Sequence, residues 1–439
     1  MNNRCVTLGS CLRQYRDEIW VDDSKDYGQI TVSSTGTISH RGTKSGGAIG
    51  RKRQFVVNLK THPNTLIFTR QGIYDGAIGF APPDTDGCIA TENMPLFSLN
   101  PGISREYIEQ LLLSPVFKSE IKKLAPKGAA QKSIHERELM DVSIPLPSLE
   151  SQIAIAEAVA KERQIVGSLQ HEITHQQSLL AKLKQAILQE AIQGKLTADW
   201  RAANPDVEPA SQLLHRIQAE KARLIAAKKI RPEKPLPKIT PAEIPFEIPK
   251  GWEWCLLEEL VLFTNGKAHE QIVDPKGRYV LVNSRFVSTG GVTKKFSRAI
   301  LTPISIGDLA LVMSDVPDGR ALGRCFLVDK DDHYTLNQRI GALRMLGQID
   351  PMFAFLVLDR NRHFLSFNDG KKQTNLMKRE ILSCPFPLPP LAEQAAIVER
   401  VEALMTTCRA LEAEIEQART HAAHLLQAVL KEAFAPARA

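Results

Sequence analysis

The chain has 439 residues, a length that suits two to four domains, and 43% of them are hydrophobic, enough to fill proper cores. Its 56 Lys and Arg against 49 Asp and Glu leave a net charge of +7, an excess that favours an anionic partner but excludes a histone-like polycation. Seven Cys without a CxxC pair argue against a disulfide framework or a zinc site, and the absence of a signal-like apolar core and of any run of eighteen apolar residues points to a soluble, reduced, cytoplasmic protein with no membrane segment.

In chain order, residues 1 to 127 predict a mixed fold. Short β-rich runs such as QITVSS and TLIFT alternate with Gly and Asp turns, and a helix-like stretch follows at REYIEQLLLSPVFKSEIKKL. Basic residues gather among glycines at Arg41, Lys44, Arg51, Lys52 and Arg53, then at Arg70 with Gln71 in the loop TRQGIYDG, and at Gln131 with Lys132. Glycine lets backbone approach phosphates, Arg and Lys neutralise them, and Arg or Gln pairs with base edges.

A Pro-rich turn, PLPSLESQ, then opens a long apolar stripe through Val159, Val166, Leu169, Ile173, Leu180, Leu183 and Ile187. Steps of three and four over four heptads predict a coiled-coil seam, and at 1.5 Å per residue the helix would run about 60 Å. PASQLLHRIQAEKARLIAAKKI reads as a further helix with a basic end, and Pro at 232, 235, 237, 241, 245 and 249 makes the next stretch a semi-rigid strap.

Residues 251 to 369 form a second mixed segment, with strands at YVLVNS and DLALVM and a helix-like run at PMFAFLVLDRNRHFL. Its basic candidates are Lys294, Lys295, Arg298, Arg320 and Arg324, with Lys371, Lys372 and Gln373 just beyond. PLPPLAEQ then opens a second stripe: Val401, Leu404, Cys408, Leu411, Ile415, Leu425 and Val429.

Residues 128 to 192 and 370 to 434 are one passage written twice without a gap. Pro145, Leu146, Pro147, Leu149, Gln152, Ile155, Glu157 and Val159 return as Pro387, Leu388, Pro389, Leu391, Gln394, Ile397, Glu399 and Val401. Two divergent heads on duplicated rods imply different targets. Neither helix can bury its stripe alone, so the expected partner is its duplicate. An antiparallel pair spares the linker from retracing the rod and creates a pseudo-two-fold axis like that of duplex DNA. The expected fold class is α+β, two mixed α/β heads separated by two long helices in an antiparallel coiled coil.

Catalytic signals are poor. GxxxxGK[ST], HExxH and N-P-P-Y/F are absent, and Pro83, Asp84, Glu120 and Lys122 do not make a convincing nuclease set. His171 and His175 have the helical spacing of metal ligands but lie on a polar helix without a third ligand, and Cys408 suits a core position. A scaffold whose coiled coil joins two protein-binding heads stays open at this point, as does a self-sufficient enzyme with unseen motifs.

The PLPPLAEQ turn, its partner PLPSLESQ, the preceding GAAQKSI and GKKQTNL, and IPKGWEWCLLEEL at the start of the second head resemble type I restriction-modification specificity subunits over essentially the whole chain. The first head departs in lacking IPKGWEW, Leu8 taking the place of Leu257, and in carrying Ser148 and Ser151 where the second copy has Pro390 and Glu393. The resemblance implies target-recognition domains at 1–145 and 251–387, spacer helices at 146–200 and 388–435, and a linker at 201–250. It implies that each head reads one half of an asymmetric bipartite site in double-stranded DNA. The helices would dock two methyltransferase subunits, which use S-adenosylmethionine on adenine, and restriction subunits with ATP and Mg would join for cleavage. No cofactor or active site would belong to this chain.

Overall fold

The computed structural model describes residues 4–124, 133–232, 234–316 and 319–435. The chain divides into two compact units, Met1–Gln177 with Ala413–Ala439, and Ser178–Glu412. The expected sites Gln131 and Lys132 lie outside the described residues.

The first unit opens with strand Arg4–Thr7, which pairs antiparallel with Ser143–Leu146 just ahead of the long helix. Leu8 follows, fully buried, its amide donating to the Val142 carbonyl at 2.8 Å. A four-stranded antiparallel sheet runs in the order Leu12–Tyr15, Leu96–Leu99, Thr65–Phe68, Ile78–Phe80. All four residues of Thr65–Phe68 are buried, as a strand covered on both faces requires. A second sheet has the order Glu18–Trp20, Arg53–Val56, Ile89–Ala90, Asp26–Val32, Ile38–Ser45. The helix-like stretch expected after residue 104 is two helices, Arg105–Leu113 and Pro115–Lys123. Pro115 has no amide to continue the ladder, and the Ser114 hydroxyl instead accepts from the Phe117 amide at 3.1 Å.

The second unit repeats this plan at its root. Glu253–Leu256 pairs antiparallel with Pro385–Leu388, and the buried Leu257 donates its amide to the Cys384 carbonyl at 2.9 Å. Its four-stranded sheet has the order Val261–Asn265, Ile340–Met345, Leu309–Val312, Cys325–Leu327, again antiparallel throughout. A separate three-stranded sheet places Tyr279–Val282 beside Tyr334–Leu336 in parallel and Phe296–Ser297 on its other side. Leu8 therefore does occupy the place of Leu257, although IPKGWEW is missing from the first head.

Each long helix is rooted by a buried glutamine. In the first unit the Gln152 side chain accepts from the Ser104 amide at 2.9 Å and donates to the Pro147 carbonyl at 2.9 Å. In the second, Gln394 accepts from the Asp350 amide at 2.9 Å and donates to the Pro389 carbonyl at 3.1 Å. In each unit one amide side chain thus satisfies a turn carbonyl ahead of the long helix and the N-cap amide of a head helix. The second unit adds a buried carboxylate. Glu393 accepts from Trp252 Nε1 at 2.8 Å and Thr197 Oγ1 at 2.7 Å and pairs with Arg201. Ser151 stands at the matching place in the first copy, where no Trp252 equivalent needs an acceptor.

The long helices are Leu149–Ile192 and Leu391–Ala433. In the first unit Ala156 and Val159 belong to one core with Leu430 and Phe434, while Val166 and Ile173 pack with Ile415, Ala418, Ala422 and Leu426. Rising numbers on one helix therefore meet falling numbers on the other. In the second unit Lys184 pairs with Glu412 at 2.5 Å. Val159, Val166, Ile173, Leu180 and Ile187 are buried, as are Val401 and Cys408, whereas Leu404, Ile415 and Val429 are half-buried. Leu169, Leu183, Leu411 and Leu425 are 42%, 46%, 39% and 47% exposed, so the buried line is narrower than the expected stripe. It follows one position per heptad, and the facing turns in the first unit supply the small Ala418 and Ala422, which leave a flanking leucine little to pack against.

Replacing Gln394 with Ala should strand a buried amide and a buried carbonyl and destabilise the second unit by about 2–4 kcal/mol. Urea unfolding checks this, and an unchanged midpoint would mean that the clamp holds nothing.

Candidate nucleic-acid interface

In the first unit the strands Asp26–Val32 and Ile38–Ser45 form a long hairpin whose second strand is exposed at every residue after Ile38. Gln29 faces Gly42 and Ile30 faces His40, leaving Arg41 as the extra residue of a β-bulge, with Gly42 at φ 117°. A bulge re-aims a side chain that regular pleating would fix, and only glycine takes that φ without strain. Arg41 and Lys44 are exposed on this hairpin with no ion-pair partner among the described residues.

Arg51, Lys52, Arg53 and Arg70 are held by acids. Lys52 pairs with Asp23 and donates to the Gly46 carbonyl at 2.8 Å, tying down the loop where a Cβ on Gly46 would lie 2.0 Å from the Asp22 carbonyl oxygen. Arg51 pairs with Glu92 at 2.8 Å, and Arg53 with Glu18 at 2.7 Å. Arg70 pairs with Glu136 at 2.5 Å, while its Nε is buried with no acceptor among the described residues. Arg53 and Arg70 share a cleft of about 190 Å³ with Gln14, Arg16 and Tyr15. Gln71 is exposed beside it in sequence. Trp20, cross-strand from Arg53, is 69% exposed. Nothing in the pattern EIW distinguished that indole from a core residue; its edge strand left it open.

Burial alone would raise the Glu136 carboxyl, but the hydrogen bond and charge of Arg70, with its own backbone amide, outweigh it and hold the group below the usual carboxylate range. Glu136 is thereby kept ionised and the guanidinium kept oriented.

The second unit has a cleft of about 370 Å³ that gathers Arg285, Lys295 and Arg339 with Asn283, Asn337 and a single acid, Glu270. None of the three cations has an ion-pair partner among the described residues. Of the expected sites, only Lys295 enters it. Gln373 joins it indirectly: its amide donates to Ser314 Oγ at 2.9 Å, and Ser284, on the cleft wall, donates to the Ser314 carbonyl at 3.4 Å. Strand Ser314–Asp315 pairs with Thr374–Asn375. Asp315 accepts from the Val316 amide at 2.9 Å and, in the loop that ends at Arg324, from the Ala321 amide at 2.7 Å. That loop carries Arg320, which is exposed, and Arg324, which is half-buried and donates to the Arg320 carbonyl at 3.2 Å. Lys294, Lys371 and Lys372 are exposed, and Arg298 sits 3.9 Å from Asp274.

The lining of the cleft also includes His269 and Ser284. His269 is buried, with one ring nitrogen on the Lys267 carbonyl at 2.7 Å and the other on Thr335 Oγ1 at 2.8 Å. Among the described residues no three His, Cys, Asp or Glu are grouped to hold a metal ion, and no helix is long and apolar enough to cross a membrane.

Residues 249–418 match the family model of the type I restriction modification DNA specificity domain. The type I restriction enzyme EcoAI specificity subunit of Escherichia coli is 31% identical over 264 residues, 56% of this chain and 43% of its own length. The EcoDI specificity subunit, also from Escherichia coli, is 26% identical over 348 residues, 74% of this chain and 71% of its own. The chain thus spans less than half the length of the EcoAI relative. The HsdS subunit of Thermoanaerobacter tengcongensis has the same fold, with a TM-score of 0.55 at 20% identity over 98% of this chain and 96% of that one. A chain solved in work on complex assembly and conformational transition of the type I R-M system gives a TM-score of 0.65 at 19% identity, covering 98% and 97%. The match to a DNA specificity domain of the restriction-modification class thus falls on residues 249–418. In sequence the chain is similar to type I specificity subunits, and in fold to an HsdS subunit.

Because Glu136 is depressed in the folded state, its ion pair should contribute stability above the ordinary carboxylate range, lost as pH falls from about 4.5 through the lower folded value. Arg70→Met should flatten the acid side of the pH–stability curve in that window; an equally steep acid limb in the variant would remove this role.

Proposed function

We propose that this chain is the DNA-reading subunit of a type I restriction-modification complex, each head reading one half of a bipartite asymmetric duplex site. The observation that carries the reading is the pair of roots: both heads set the same four-strand order on a long helix through the same buried glutamine. Two heads of one plan with unlike loops and unlike cation clusters suit two different half-sites. The target-recognition regions are 1–145 and 251–387, the helices 146–200 and 388–435 act as spacer, and 201–250 is a linker.

In this reading the helices form an antiparallel coiled coil with a pseudo-two-fold relation between the heads, which sets the gap between half-sites. Exposed apolar residues such as Ile165, Leu169, Leu179 and Leu183 are then the surface on which two methyltransferase subunits dock. Those subunits supply S-adenosylmethionine and the methyl transfer to adenine, and restriction subunits with ATP and Mg join for cleavage in the cytoplasm. This chain contributes recognition and no catalysis.

An adenine-methylation map of cells carrying this chain and its methyltransferase partner, beside cells lacking only this chain, tests the reading. A bipartite motif that depends on the chain is expected. Identical maps would favour a coiled-coil adaptor with two protein-binding heads.

Two further outcomes are expected of the assembled complex. Inserting one heptad between Leu169 and Leu183 should change the spacer of the mapped motif and leave both half-sites intact; an unchanged spacer contradicts the ruler. Arg41→Ala with Lys44→Ala should weaken binding to all duplexes alike and reduce the slope of log K against log salt by about two, whereas a changed motif would make the hairpin a base reader.

A further inference from the structure

The cleft of the second head has a symmetry that its sequence carries in miniature. Asn283-Ser284-Arg285 and Asn337-Gln338-Arg339 are two Asn-x-Arg tripeptides, and they directly follow the strands Tyr279–Val282 and Tyr334–Leu336. Those strands are parallel neighbours, with Val280 opposite Tyr334 and Val282 opposite Leu336. Both tripeptides therefore emerge at the same sheet end, and the Asn337 amide donates to the Val282 carbonyl at 3.0 Å across the pair. In open α/β sheets ligands settle in the crevice beyond the carboxyl ends of parallel strands, and this cleft is lined from the corresponding end of the pair.

The two asparagines are occupied with backbone. Asn283 Oδ1 accepts from the Phe286 amide at 2.9 Å, and Asn337 Oδ1 accepts from the Arg339 amide at 3.3 Å. They fix the turns from which the arginines leave. Arg285 and Arg339 are exposed and line the cleft without an acid to hold them. Glu270, the acid present, accepts from Gln338 Nε2 at 3.1 Å.

We propose that Arg285 and Arg339 are specificity-determining residues that read guanines of duplex DNA, with Asn283 and Asn337 as their positioning residues. This rests on the DNA-reading function above. A guanidinium matches O6 and N7 of guanine with two parallel hydrogen bonds, and two such forks rising from adjacent strands suit neighbouring base pairs in one half-site. Lys295 on the same cleft adds charge without a fork and takes a phosphate.

The test uses the full chain assembled with its methyltransferase partner. Wild type, Arg285→Lys, Arg339→Lys and the corresponding Gln variants are compared by methylation mapping, then by binding to duplexes carrying the mapped motif with individual G·C pairs of that half-site changed to A·T. Each Lys variant should keep the other half-site and the spacer while its discrimination for one G·C pair falls about ten-fold or more. The same G·C change should cost the variant little that it has not already lost.

Unaltered base preference in the variants, a second half-site made only of A·T pairs, or a uniform loss across all sequences with a shallower salt dependence would overturn the proposal; the last would make the arginines phosphate anchors. A wild-type map without any bipartite motif would instead remove the DNA-reading function on which it stands.

Discussion

A proline-flanked turn must deliver a forty-residue helix from the rim of a small mixed domain at a fixed angle, and one buried side chain meets that constraint. Gln152 and Gln394 each satisfy a proline carbonyl on the turn and the leading amide of a helix in the head. An unpaired amide or carbonyl in such a place would cost much of the stability of a small domain. A shorter or charged residue fails, because the site needs a donor and an acceptor on one planar group. Everything outward of this joint, including strand pairing, Leu8 or Leu257 beneath it, and the helix face turned toward its neighbour, inherits its geometry.

The cations separate by what holds them. In the first head Arg51, Lys52, Arg53 and Arg70 are each matched to a carboxylate, which spends their charge on loop shape and guanidinium orientation. Arg41, Lys44, Arg285, Lys295 and Arg339 have no such match among the described residues. Exposed ion pairs add little to stability, so the first group matters as geometry and the second as field. A count of basic residues along the chain mixes the two.

Much of the framework was legible in the sequence. The duplicated passage located both long helices and its Pro-rich turns marked their entries, although 146–200 overran the first helix, which ends at Ile192, and the clamping by Gln152 and Gln394 left no trace in local pattern. Leu8 could be matched to Leu257 because a buried leucine after a short strand leaves a trace even when the surrounding motif is gone. The stripe of leucines overstated the helix contact, since periodicity reports which face is apolar and not how much of it a partner covers. Ser114-Pro115 carried its own signal for a helix break. The second-head cleft was only partly legible: the Asn-x-Arg tripeptides were plain text, but their adjacency depends on a parallel strand pair separated by about fifty residues, which local pattern does not encode. Trp20 needed knowledge of which strand is the sheet edge.

The bulged hairpin of the first head has one more consequence. Ile38–Ser45 is the outermost strand of its five-stranded sheet, long and exposed, and so presents a free row of backbone donors and acceptors. Such a row invites another chain to add a strand. The extra residue at Arg41 breaks its pairing rhythm, and the Arg41 and Lys44 charges repel a second copy of the same edge. The features that present cations outward thus also protect the chain from self-association during synthesis and storage, so variants that neutralise them risk becoming sticky through sheet growth.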